Sequence, residues 1–98
     1  MKIKIHSITD GYPEVEAKEL KFKGRKGFRF FIHKRFKDIW NVWGITEFSS
    51  GLSAAAGQTQ ADCMKILKKR LKKYTIKQWK SIIKKDVKKH KSIYPLNK

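Results

Sequence analysis

Hydrophobic positions recur along this chain first at a spacing close to two and later at the spacing of a helix. Ile3, Ile5 and Ile8 stand among polar neighbours, and Thr9-Asp10-Gly11-Tyr12-Pro13 then supplies turn chemistry, so a strand is predicted near residues 2–8. From Glu14 to Lys23, Val15, Ala17, Leu20 and Phe22 lie among charges. The second half of that stretch alternates as a strand from about Glu19, whereas its first half also fits one turn of helix. After the basic turn Gly24-Arg25-Lys26-Gly27, one parity carries Phe28, Phe30, Ile32 and Phe36; the other carries Arg29, His33, Arg35 and Lys37, with Phe31 as the exception. This predicts a half-buried strand with a basic outer face. Lys37-Asp38 suits a hairpin turn into a second run, Ile39 to Phe48, rich in strand-forming residues. Ser49-Ser50-Gly51 closes that run, and Leu52 to Ala56 reads as a third strand ended by Gly57.

From Thr59 the period changes. Thr59 with Asp62 three residues on resembles a capping box, and Ala61, Met64, Leu67, Leu71 and Tyr74 follow at helical spacing, which predicts a helix over about 60–73. Thr75 with Gln78 repeats the signal, and Ile76, Trp79, Ile82, Ile83, Val87 and His90 define a second amphipathic helix over about 76–90. The tail, residues 91–98, contains Pro95 and is expected to fray. The expected fold is a single α+β domain over residues 1–98: an antiparallel sheet of three to five strands within about 2–56, followed by two C-terminal amphipathic helices.

Charge changes this picture more than size does. The chain of 98 residues has 25 Lys and Arg against 8 Asp and Glu, a formal net charge of +17. The apolar fraction of 40% is enough for a core, which argues against a wholly disordered basic tail. Residues 60–98 hold 14 of the basic residues and only 2 of the acidic ones, so the two helices carry most of the field. Lys65, Lys68, Lys69, Arg70, Lys72 and Lys73 flank the first apolar stripe; Lys77, Lys80, Lys84, Lys85, Lys88 and Lys89 flank the second. With few acids at i,i+4, each close like-charge pair costs about 0.2–0.5 kcal/mol. A polyanion would remove that cost, and nucleic acid is the expected partner, with release of its counterions as the driving term. A lysine-rich helical face is also common solvated surface.

Lysine is a point charge without the fork of arginine, so Lys65, Lys68, Lys69, Lys72, Lys73, Lys77, Lys80 and Lys84 are expected to contact phosphates and not bases. Base reading, if present, would fall to the sheet: Arg29, His33 and Arg35 share a strand face with Phe31, and Asn41 and Trp43 share a parity on the next strand. The other reading of Trp43 is as core, since both parities of its strand are apolar. Helices on both faces of the sheet would also deny it to nucleic acid.

No enzyme is expected. His6, His33 and His90 have no cysteine or carboxylate at ligand spacing, so neither metal nor other cofactor is implied. Glu47 and Asp38 are read as turn or edge charges, and Cys63, the only cysteine, as a small buried hydrophobe. A lone cysteine permits no intramolecular disulfide, and no signal peptide or membrane span is legible, so a cytoplasmic protein without membrane contact is expected.

The segment from Phe28 to Tyr74 has the order strand, strand, strand, helix, with Trp40-Asn41-Val42-Trp43, Ser50-Gly51 and Gly57-Gln58-Thr59-Gln60-Ala61 at the strand-to-helix junction. In this it resembles the arm-type DNA-binding domains of phage integrases. The resemblance implies a three-stranded sheet, backed by a helix, that enters the major groove. The third strand, Leu52-Ser53-Ala54-Ala55-Ala56, departs from that pattern in lacking polar and basic side chains. In style the chain is also similar to small phage and mobile-element accessory proteins, including anti-CRISPR inhibitors. That likeness implies an alternative partner, a host protein or ribonucleoprotein, met through the basic face in the host cytosol.

Overall fold

The computed structural model describes residues 1–6, 11–21, 28–34 and 42–97. Among the described residues six strands precede two helices: β1 (Lys2–Lys4), β2 (Glu14–Glu16), β3 (Lys18–Leu20), β4 (Phe30–Lys34), β5 (Trp43–Glu47), β6 (Ser53–Gly57), α1 (Gln60–Lys73) and α2 (Ile76–Lys89), with a short 3-10 turn at Lys91–Ile93. The fold is α+β, as the periodicities indicate. The strands form two antiparallel sheets, a β1-β2 pair and a four-stranded sheet in the order β3-β4-β5-β6. Glu14–Glu16 is a strand and not a helical turn, because Ile3 pairs opposite Val15 and gives its extended backbone a partner. Ala17 alone separates β2 from β3, so one extended segment passes from the small sheet into the large one.

Alternation along β4 divides the core. Phe30 and Ile32 face α1, where they meet Ile45, Ala54, Ala55, Cys63, Leu67, Leu71 and Trp79. Phe31 faces the other way and packs with Ile3, Ile5, Ala17 and Phe48, its ring stacked on Phe48 at 5.1 Å. The expected basic outer face of this strand is therefore not an outer face: the β1-β2 pair covers it, and Phe31 and His33 are both buried. Each covering strand supplies a single apolar residue between two charged ones (Lys-Ile-Lys, Glu-Val-Glu), so its apolar face was thin in the sequence.

The run of alanines in β6 is explained by what lies on it. Ile45 pairs with Ala55 and Thr46 with Ser53, leaving Ala54 as the extra residue of a β-bulge, which lets Ala54 and Ala55 both turn from solvent. The Ala54 carbonyl freed by the bulge accepts a 2.6 Å hydrogen bond from Arg70 Nη1. Small side chains let α1 approach closely; a Cβ on Gly57 would stand 2.9 Å from Asp62 Cβ. The strand has no polar face to offer because a helix covers it.

Both helices start where their caps require. Thr59 accepts from Asp62 N, and Thr75 with Gln78 forms a complete capping box. The tail departs from expectation. Leu96 is buried, its N–H donates to Ser49 O at 2.9 Å, and Asn97 clips β1 to the β5 end: Lys4 N donates to its Oδ1, and its Nδ2 donates to Lys4 O and Phe48 O. Side-chain amide bonding to two separate stretches of backbone holds residues 94–97 against the fold where proline chemistry alone suggested fraying; Lys98 lies outside the described residues.

Candidate nucleic-acid interface

Helical geometry sorts the lysines. Along α1, Cys63, Leu67 and Leu71 are buried at i, i+4 and i+8, which turns Lys65, Lys69 and Lys72 directly outward, with Lys68 and Lys73 on the flanks. On α2 the buried anchor is Trp79, and Lys77, Lys84 and Lys88 form the outer row, flanked by Lys80 and Lys85. All of these side chains are exposed. Among the described residues none of them is in an ion pair, and Lys73 lies 5.6 Å from the centre of the Tyr74 ring.

The two acids of this half of the chain do not offset that field. Asp62 sits in the first turn of α1, where a carboxylate suits the helix dipole. Asp86 is turned inward, accepts a hydrogen bond from Tyr94 Oη and has His6 Nε2 at 3.3 Å. Past Asp62, which is exposed in the first turn of α1, neither helix presents a carboxylate on its outer face.

The sheet residues fare differently. Arg29 is exposed, but its fork is taken: Nε and Nη2 each donate to Glu19 at 3.0 Å, and its guanidinium lies 4.3 Å from the centre of the Phe48 ring. Glu19 holds the arginine pKa above its ordinary value, and Arg29 in turn holds the Glu19 carboxyl below its own. His33, expected on an open face, is buried under the small sheet, with Nδ1 donating to Lys34 O at 2.9 Å and Nε2 2.7 Å from Thr46 Oγ1. Trp43 is half-buried and packs against the α1 core, with Lys34 Nζ 5.8 Å from its ring centre. Arg35 and Asn41 lie outside the described residues. The base-reading group of Arg29, His33 and Trp43 is therefore not assembled on one open surface: the first is paired, the second is interior and the third belongs to the opposite core.

Sequence reasoning missed Arg70 as a structural group and Glu47 as a buried one. Glu47 accepts from Ser49 Oγ, Ser50 N and Ser50 Oγ at 2.6–3.0 Å and so fixes the turn after β5. The signal was present in the run Glu-Phe-Ser-Ser-Gly, a carboxylate followed by hydroxyl and amide donors two and three residues on. Cys63 is buried, its thiol donates to Trp43 O at 3.2 Å, and burial first, then nearby Asp62, pushes its pKa up, which disfavours the thiolate. Among the described residues no three His, Cys, Asp or Glu side chains are grouped to hold a metal ion, and no described helix is long and apolar enough to cross a membrane. No family model, curated protein or solved structure matches the chain.

Proposed function

We propose that this protein binds nucleic acid through phosphate contacts made by the outer faces of α1 and α2. The observation that carries the reading is the pair of lysine rows, exposed and without an ion pair among the described residues, on the half of the chain whose Asp86 is turned inward. Such rows are suited to positioning on a backbone and poor at choosing a sequence, because ammonium groups make no bidentate contact with base edges.

A salt titration tests the reading. Log affinity for duplex should fall with log salt at about −0.9 per phosphate contacted. Absence of binding to DNA and RNA alike at low salt would remove the proposal. Replacing Lys68, Lys72 and Lys73 together by Glu should weaken binding to all sequences alike and flatten the salt slope by about 1 for each phosphate no longer neutralised. Trp43→Ala, by contrast, should leave preference among sequences unchanged.

Ile82 favours a second reading. It is 45% exposed on α2 beside the lysine row, an apolar spot that phosphates do not need. A protein or ribonucleoprotein partner would use it, and Ile82→Glu would then abolish capture of that partner while sparing binding to free oligonucleotide.

A further inference from the structure

Two contacts of α2 with the rest of the fold stand out. Near its start, Trp79 enters the core and meets Phe30 at 5.8 Å and Tyr74 at 6.2 Å between ring centres. Near its end, Asp86 meets a cluster drawn from both ends of the chain. Between them Ile82 is 45% exposed and Ile83 and Val87 are half-buried, so no residue of α2 after Trp79 is fully buried.

The cluster around Asp86 is built from four separate segments. Tyr94, from the tail, donates to Oδ2 and also to Ser50 O at 3.3 Å. His6, beyond β1, places Nε2 3.3 Å from Oδ2; that nitrogen is shut off from solvent and makes no well-aligned hydrogen bond. His90, at the end of α2, has Nε2 3.9 Å from Oδ1 and Nδ1 3.4 Å from Tyr12 Oη. The two imidazoles are 5.4 Å apart, and the edge of Tyr12 meets His6 at 4.9 Å. The carboxylate is only 16% exposed.

We propose that His6, Asp86 and His90 form a proton-operated clasp that fastens the C-terminal half of α2 to the β1 end of the fold and releases it as the imidazoles lose their protons. Histidine is the side chain whose charge changes between about pH 5 and 8. With both rings protonated, each faces one oxygen of the same buried carboxylate. With both neutral, the ion-pair attraction is gone, and Asp86 keeps the Tyr94 hydroxyl and at most one uncharged N–H from each ring. The charged groups nearest the cluster are Glu47, which acts on Tyr94; Lys2, Lys4 and Glu14, which line one depression with Tyr12; and Lys89 and Lys91, on either side of His90 in the chain. The clasp does not rest on phosphate binding, although the segment it fastens carries Lys84 and Lys88.

Amide hydrogen exchange on the free protein, corrected for intrinsic rates, tests it at about pH 5.5 and 8. Protection of Ile83–Lys89 should fall about tenfold or more between the two while that of Cys63–Leu71 in α1 holds. In Asp86→Asn the α2 protection should be low and alike at both pH values. Equal protection of α2 at both pH values in the wild type, or an equal loss in α1, would overturn the clasp. Should Asp86→Asn fail to fold, His90→Gln serves: it should lose most of the difference between the two pH values, and an undiminished difference there is equally contrary. Oligonucleotide affinity, measured separately, tests the proposed function and does not decide the clasp.

Discussion

Tyr94 keeps its proton more tightly than a phenol in water. Burial is the main cause, followed by donation to Asp86 and the nearby Asp86 and Glu47 charges, and together they push its pKa well above the ordinary range. The sign follows directly. A raised folded pKa means that the stabilisation is full below the unfolded value of about 10 and is lost as pH rises above it, because only the unfolded chain ionises the group readily. Urea unfolding should thus show the wild type losing stability above about pH 10, and Tyr94→Phe, already weaker at neutral pH, losing less of it there. Cys63 yields a second expectation at this scale: its buried thiol should react with an alkylating reagent only as fast as the protein opens. The sequence told more about Cys63 than about His33. A small apolar residue on a helical stripe declares its burial through the helix itself. The fate of His33 was settled by two short strands remote from it in the chain, whose single apolar residues gave no sign of which face they would cover.

Among the elements, α2 is the least securely attached. Trp79→Ala should cost about 3–5 kcal/mol, the usual range for an aromatic anchor, and Thr75→Ala about 1 kcal/mol through loss of the capping hydroxyl. Thermal denaturation followed by circular dichroism would separate the two. Both helices were legible nearly to the residue, since a cap and a period of 3.6 are local properties: Gln60–Lys73 and Ile76–Lys89 match the expected spans closely. Strand limits were less so, because pairing decides them. Within the described residues β5 is Trp43–Glu47, paired with Phe30–Lys34, whereas Ile39 to Asn41, where the expected run starts, lie outside them. The tail was misjudged for a similar reason: nothing near Leu96 or Asn97 announces Ser49, Phe48 or Lys4.

At the scale of the molecule the surplus positive charge opposes compaction. The Cα radius of gyration is 12.8 Å, ordinary for a chain of this length, so seventeen uncompensated charges share a small body. Added salt should raise the melting temperature by screening them, and a polyanion should raise it further through binding to the folded state. A melting temperature insensitive to both would show that the charges are too dispersed to matter. The charge asymmetry was legible because it needs only a count along the chain. The sheet surface was not, because parity assigns residues to faces without saying which face is left open.

Gly51 and Leu96 occupy one space between them. Gly51 has φ +69°, a conformation that favours glycine, and a Cβ there would run into the Leu96 side chain and press on His6. The two positions are therefore coupled in what they tolerate. A methyl group at 51 should be severely disruptive beside leucine and less so beside alanine, so Gly51→Ala and Leu96→Ala should be non-additive, the double variant faring better than the separate losses imply. In the drift of such a sequence, residue 51 could grow only after residue 96 had shrunk, an order of change imposed by the volume they share.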